Sequence, residues 1–345
     1  MRIFSNVTAA TIAATLLSVS MLAISPPAHA EVTLKMSSQW NENTVAAEAD
    51  RWWASEIERR TAGQIKVKIF YAGALAKPNE NLALIRSGGV DLVNMSASYF
   101  GADLPLFTAP NSIPMAMAEV PQASHLMRRL MAEVPALDDE AKRNGVKALF
   151  FHNLNPYVLV CKNPVNGLAD LKGKKIRTWG SDMPKMVQAA GAVPVTLGLA
   201  ELYEGLSRNT VDCIPFSVDL MVNYKIFEVG KHVYDVTLWL GPTSGVWINR
   251  ATWDALPPAQ QMIVNAVSEE AALKDRDLTI AAAGTAIEKL KAAGVQFHAF
   301  PQADKKTWKA ANPDFFAAFV EVQSKAGRGD AAQAMVRIWK EVVSK

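Results

Sequence analysis

The chain has 345 residues, with 36 lysines and arginines against 33 aspartates and glutamates, for a net charge of +3. That length suits about two domains, and near-neutral, interspersed charge excludes the basic face or arm of a nucleic-acid binder. Residues 1–30 have the pattern of a secretory leader: Arg2, a mostly apolar run over 9–24, Pro26-Pro27, and the small-x-small site Ala28-His29-Ala30, with cleavage after Ala30. The apolar run is too short, and too interrupted by Thr11, Thr15, Ser18 and Ser20, to span a bilayer. No cysteine follows it for lipid anchoring, and no later segment has the apolar length of a membrane helix.

In chain order, 32–36 alternates as a strand and is followed by a polar loop, Ser37 to Asn43, that carries Trp40. Thr44 is placed to cap a helix reaching about residue 61. A strand over 65–70, a helix over 79–87 and a buried strand over 90–94 complete a strand–helix–strand–helix–strand run. Its short connections imply parallel pairing. Residues 99–114, rich in Pro, Phe and small side chains, are expected to edge a cleft or to pack as a surface loop. A single helix is expected over 124–143 and a strand over 146–151. Asn153-Leu154-Asn155-Pro156 breaks that strand before extended chain resumes at Tyr157, as a first crossing between two domains.

The alternation then repeats, with strands at 174–177, 193–196 and 211–214 and helices at 183–190 and 200–207. Residues 234–239 and 245–249 read as strands leading back to the first domain. Pro257-Pro258 opens a helical pattern to about residue 293. At 1.5 Å per residue it is about 54 Å long, so it must lie across both domains or project into solvent. A strand over 295–300 and helices over 308–319 and 331–343 close the chain.

Catalytic and metal signatures are absent. The histidines after the leader, His125, His152, His232 and His298, have no metal-ligand spacing, and there is no GxSxG or GxGxxG. Gly167 to Lys175 fails as a phosphate loop, because the glycine spacing is wrong and Lys175 stands where Ser or Thr is needed. Cys161 and Cys213 are expected as two buried free thiols, although an exported chain can also join them. What remains is a two-domain α/β protein whose chain crosses between domains more than once, which suits a ligand binder that closes over its solute. Arg177, at the end of Lys174-Lys175-Ile176-Arg177, can turn a two-pronged guanidinium toward a carboxylate in such a cleft.

The stretch from Leu168-Ala169-Asp170-Leu171-Lys172-Gly173 through Arg177 resembles the DctP-like solute-binding proteins of tripartite ATP-independent periplasmic (TRAP) transporters. So do Gly191-Ala192-Val193-Pro194-Val195, Glu201-Leu202-Tyr203-Glu204-Gly205-Leu206, Val211-Asp212 and Trp253-Asp254-Ala255-Leu256-Pro257. The resemblance covers nearly the whole chain after the leader.

It implies a two-domain periplasmic-binding-protein (Venus-flytrap) fold with hinge strands and a long helix spanning both domains. Domain I would be 31–152 plus about 240–256, domain II 153–239 plus part of 295–345, and the spanning helix 257–293. It further implies a periplasmic, non-enzymatic protein that hands an organic carboxylate to the TRAP permease subunits, with Arg177 as the carboxylate anchor; no cofactor and no metal-binding residue is expected. Some relatives place a second arginine where this chain has Tyr157, and an amide where it has Phe216. Leu199 stands at an often aromatic position.

These departures point to one strong anion anchor and a monocarboxylate with an apolar or aromatic body. Tyr157 and Asn153 are candidate hydrogen-bonding groups near the hinge. Trp40, Tyr99, Trp179, Phe216 and Trp247 are candidates for the wall. The alternatives are a sensory binding protein for a signalling partner, or a secreted enzyme using a carboxylate pair brought together by the fold.

Overall fold

The computed structural model describes Met1 and residues 31–344; the expected secretory leader, Met1 aside, lies outside the described residues. The strands are, in chain order, β1 (Val32–Ser38), β2 (Ile65–Phe70), β3 (Leu92–Ser96), β4 (Val146–Asn153), β5 (Tyr157–Cys161), β6 (Lys175–Thr178), β7 (Val193–Thr196), β8 (Cys213–Phe216), β9 (His232–Trp239), β10 (Pro242–Asn249) and β11 (Gln296–His298). They form a five-stranded sheet in the order β2-β1-β3-β10-β4 and a six-stranded sheet in the order β11-β9-β5-β8-β6-β7.

The expected parallel start is present. β1 pairs in parallel with β2 on one side and β3 on the other, and Thr44 caps the helix Val45–Arg60 by accepting from the Ala47 N–H at 3.3 Å. β6 repeats the arrangement between β7 and β8. In both sheets, successive connections therefore leave a central strand in opposite directions. Such a switch point opens a crevice at the carboxyl ends of the strands.

The chain leaves the first sheet between β4 and β5 and returns between β9 and β10. Residues 232–239 thus stay in the second sheet, paired with β5 and β11, and only β10 rejoins the first. Gly241 makes this second crossing; a Cβ there would lie 2.5 Å from the Pro110 carbonyl oxygen, so only glycine fits.

Two helical expectations need correction, and one segment expected without a helix contains one. Residues 124–143 are two helices, Val120–Glu133 and Pro135–Arg143, because Pro135 has no N–H to continue the first. Pro313 likewise divides the expected 308–319 helix into Gln302–Ala311 and Phe315–Lys325. The 99–114 segment contains the helix Pro105–Ser112. Its start has no side-chain cap of its own; instead the buried Glu140 carboxylate accepts from the Leu106 and Phe107 N–H groups at 3.0–3.1 Å.

The long helix runs Pro258–Ala292 and packs on elements of both sheets, against Val45–Arg60 and β4 on one side and Val218–Asn223 on the other. It also anchors the first crossing. His152, at the end of β4, lies between Asp275 of the long helix (Nδ1 to Oδ1, 2.8 Å) and Asp50 (Nε2 to Oδ1, 3.1 Å), all three fully buried. The Asn153 backbone N–H donates to Asp275 Oδ2 at 2.6 Å, and Asn155 Nδ2 donates to the Thr279 carbonyl at 2.7 Å. Burial alone would lower the His152 pKa, but the Asp50 and Asp275 carboxylates outweigh it and raise it to about 10.

Cys161 and Cys213 are joined. They are facing partners on the antiparallel strands β5 and β8, with Cα atoms 4.0 Å apart. The expectation of two free thiols is overturned because strand register, which composition does not reveal, brings the two side chains together.

Candidate functional site: a cationic, aromatic-walled cavity between the sheets

The carboxyl ends of β1, β3 and β6 meet at one cavity of about 370 Å³ of atom-free space, partly open to solvent. It is lined by Gln39 and Trp40 beyond β1, Ser96, Ser98 and Tyr99 at and beyond the end of β3, Arg177 and Trp179 at the end of β6, and Tyr157, Trp239, Leu199 and Asn111. The lining therefore comes from the two switch points and from the strand ends that flank the crossings.

Arg177 is 3% exposed. Its Nε–H donates to the Leu197 carbonyl at 3.2 Å, and its guanidinium carbon lies 4.3 Å from the centre of the Trp179 ring. Nη1 is buried and meets no acceptor among the described residues, nor does any described carboxylate form an ion pair with the side chain. Burial pushes the guanidinium pKa down, with Tyr157 and Tyr99 opposing it; an arginine keeps its charge all the same. Burial raises the pKa of the Tyr157 and Tyr99 phenols, which therefore stay neutral.

Around the cation stands an aromatic cluster. Tyr157 meets Trp179, Trp239 and Phe216 with centroids 5.6, 5.2 and 5.6 Å away, and Trp179 meets Trp239 edge-on at 5.7 Å. Edge-to-face contacts at these separations fix the rings relative to one another. Trp239 Nε1 is a second buried donor without an acceptor among the described residues. Trp40 is held by its own indole N–H, which donates to Ser244 Oγ on β10 at 2.7 Å.

Of the side chains singled out in the sequence, Arg177, Tyr157, Trp179, Trp40 and Tyr99 share this cavity. Asn153, Phe216 and Trp247 do not line it. The Asn153 amide faces the long helix, donating to Asp275 Oδ2 at 3.1 Å. Phe216 is fully buried behind Tyr157, and Trp247 packs edge-on to Phe107 and Phe151 in the core. Sequence reading missed Gln39, Ser96, Ser98, Asn111 and Trp239. All but Asn111 sit at or just past the carboxyl end of a strand, and that position, combined with a predicted switch point, was the signal available.

The geometry of a cationic cleft between two α/β lobes agrees with what the chain is similar to. Residues 36–322 match the family described as bacterial extracellular solute-binding protein, family 7. A 2,3-diketo-L-gulonate-binding periplasmic protein of Escherichia coli is 28% identical over 253 residues, 70% of this chain and 73% of that one. The C4-dicarboxylate-binding periplasmic protein DctP of Rhodobacter capsulatus is 25% identical over 84% of this chain and 86% of its own.

Among solved structures, a TRAP periplasmic solute-binding protein of Desulfovibrio salexigens with bound orotic acid superposes with a TM-score of 0.79 at 22% identity, covering 90% of this chain and 98% of that one. A Bordetella pertussis extracytoplasmic solute receptor binding pyroglutamic acid gives 0.77 at 22% identity, covering 90% and 99%. The chain belongs to the bacterial extracellular solute-binding protein family 7, the DctP-like solute-binding proteins of TRAP transporters.

Proposed function

We propose that this protein captures an organic monocarboxylate with an apolar or aromatic body in the periplasm, after a leader is removed at Ala30, and delivers it to a membrane permease. One observation carries the reading. Arg177 is a buried cation whose Nη1 meets no acceptor and which no carboxylate neutralises among the described residues. Leaving a buried charge unpaired is costly, and a carboxylate from the solute supplies the missing two-pronged partner. Trp239 Nε1 is a further unpartnered donor on the same cavity. Tyr157, Trp179, Trp40 and Tyr99 give the solute aromatic walls, and among the described residues no other Lys or Arg lines the cavity to hold a second carboxylate. Apolar walls with a few converging polar groups are the usual build of a small-ligand site.

The relatives support an acid as solute: they bind 2,3-diketo-L-gulonate, C4-dicarboxylates, orotic acid and pyroglutamic acid. The last two are ring compounds with a single carboxylate. Capture works by closure. Residues 31–152 with about 240–256 form one lobe, and 153–239 with part of 295–345 form the other. A solute touching both shifts the population to the closed form, which the permease recognises. A thermal-shift screen of organic acids finds the solute, since binding to the folded form alone raises its apparent stability, and calorimetry then measures affinity. A screen in which no organic acid binds, or a carboxylate that binds Arg177→Ala as tightly as wild type, overturns the proposal.

A further inference from the structure

We infer that the solute carries a hydroxyl group at the end remote from its carboxylate, read by Ser98 and Gln39; this rests on the carboxylate reading above. The proton positions along the wall that the first sheet gives the cavity follow from which atoms can donate and which can only accept. Asn111 Nδ2 donates to the Pro242 carbonyl at 2.8 Å. A carbonyl cannot donate, so the amide orientation is fixed and Asn111 Oδ1 faces Ser96 Oγ, 2.7 Å away. An amide oxygen only accepts, so Ser96 gives its single hydroxyl proton to Asn111. Ser96 Oγ is also 2.8 Å from Ser98 Oγ, and in that pair Ser98 must then be the donor. The one proton of Ser98 is committed, and its oxygen turns only lone pairs to the cavity.

Gln39 is fixed in the same way. The Ser96 backbone N–H donates to Gln39 Oε1 at 3.3 Å, which sends Nε2 in the other direction, where its protons meet no acceptor among the described residues. Ser98 and Gln39 are both half-buried and line the same cavity as Arg177. Ser98 and Gln39 thus present one acceptor and one donor, with no formal charge. A second carboxylate would meet the lone pairs of Ser98, and an ammonium the N–H groups of Gln39. A methyl group would leave both unmatched. A hydroxyl donates to Ser98 and accepts from Gln39, and it satisfies both at once.

Calorimetry on matched pairs tests this: benzoate against 3- and 4-hydroxybenzoate, phenylacetate against 4-hydroxyphenylacetate, and butanoate against 4-hydroxybutanoate. In wild type at least one hydroxylated member binds about tenfold more tightly than its parent, the worth of one or two net hydrogen bonds. In Ser98→Ala and in Gln39→Leu that ratio falls to about threefold or less. Arg177→Ala weakens both members equally. Parent and hydroxylated acids that bind equally, or a ratio that survives both wall substitutions, overturn the hydroxyl inference and leave the carboxylate reading standing. Binding that is indifferent to Arg177→Ala, or no binding by any acid in the panel, overturns both.

Discussion

The Arg177 guanidinium carbon lies 4.3 Å from the centre of the Trp179 ring, with both side chains on one face of a strand end because they are two residues apart. Trp179 holds the cation without neutralising it, and desolvated contacts of this kind are worth up to about 2 kcal/mol. Arg177→Ala is expected to weaken solute binding by about 2–5 kcal/mol, the loss typical of one partner of a buried charge pair. Arg177→Lys should also bind poorly, because an ammonium cannot reproduce the fork. The ligand-free Arg177→Ala protein should melt close to wild type, since losing the Leu197 hydrogen bond and the Trp179 contact is offset by removal of an unpaired buried charge. Calorimetry with differential scanning of both variants checks this. A large fall in the melting temperature of the free protein would mark Arg177 as structural instead.

Much of this was legible in the sequence, and the gaps have physical causes. The Thr44 cap, strands β2 and β7 and the long helix are local features, set by capping, alternation and proline placement within a few residues. Arg177, Tyr157, Trp179, Trp40 and Tyr99 could be picked as large or charged side chains near strand ends. Trp247 and Phe216 have the same residue chemistry but sit in the core, and only tertiary packing separates the two groups. Ser96, Ser98, Gln39 and Asn111 are small polar residues without a motif. Their role comes from the order of hydrogen bonds among them, which links positions as far apart as 39 and 242. The 105–112 helix was hidden because its cap is Glu140, more than thirty residues away.

That remote cap makes its own prediction. Glu140 is 1% exposed and holds the two N–H groups that open the helix carrying Asn111. Glu140→Ala leaves those donors buried and unpaired, and should cost about 1–3 kcal/mol of stability. Glu140→Gln keeps one acceptor oxygen and should cost less than Glu140→Ala. Urea denaturation of the two variants measures both. Equal stability of wild type and Glu140→Ala would show that water replaces the carboxylate there.

The Cys161–Cys213 bond closes a loop with a sequence separation of 52. Restricting the unfolded chain over such a loop is worth about 2–4 kcal/mol. The bond joins two strands of the second sheet at the end away from Tyr157 and Phe216, whose strands pair Val158 with Phe216 at the cavity end. Replacing both cysteines by serine should therefore lower the unfolding free energy by that amount and leave solute affinity within about threefold, since the site lies at the other end of the strands. Loss of binding in a variant that still melts cooperatively would mean that the bond sets the register of the site.

His152 links the hinge to the charge state of the core. Its pKa in the folded protein is raised to about 10 by Asp50 and Asp275, against about 6.5 in an unfolded chain. A raised folded-state pKa contributes stability that is fully present below the unfolded value and is lost as pH climbs through the folded value. The contribution of the imidazolium should therefore be intact below about pH 6.5 and decline from there to about pH 10. His152→Gln breaks a buried charge network and should cost about 3–5 kcal/mol at pH 6. The gap between wild type and variant should then narrow steadily as pH rises toward 10. Melting curves of the two proteins at intervals across that range give the gap directly. A gap that stays constant would mean that His152 is neutral and serves only as a hydrogen-bonding spacer. Because Asp275 also accepts from the Asn153 backbone N–H at the first crossing, loss of the imidazolium should loosen the hinge as well. Small-angle scattering of the ligand-free protein at pH 10 should then show a larger radius of gyration than at pH 7, and the His152→Gln variant should show that larger value already at pH 7.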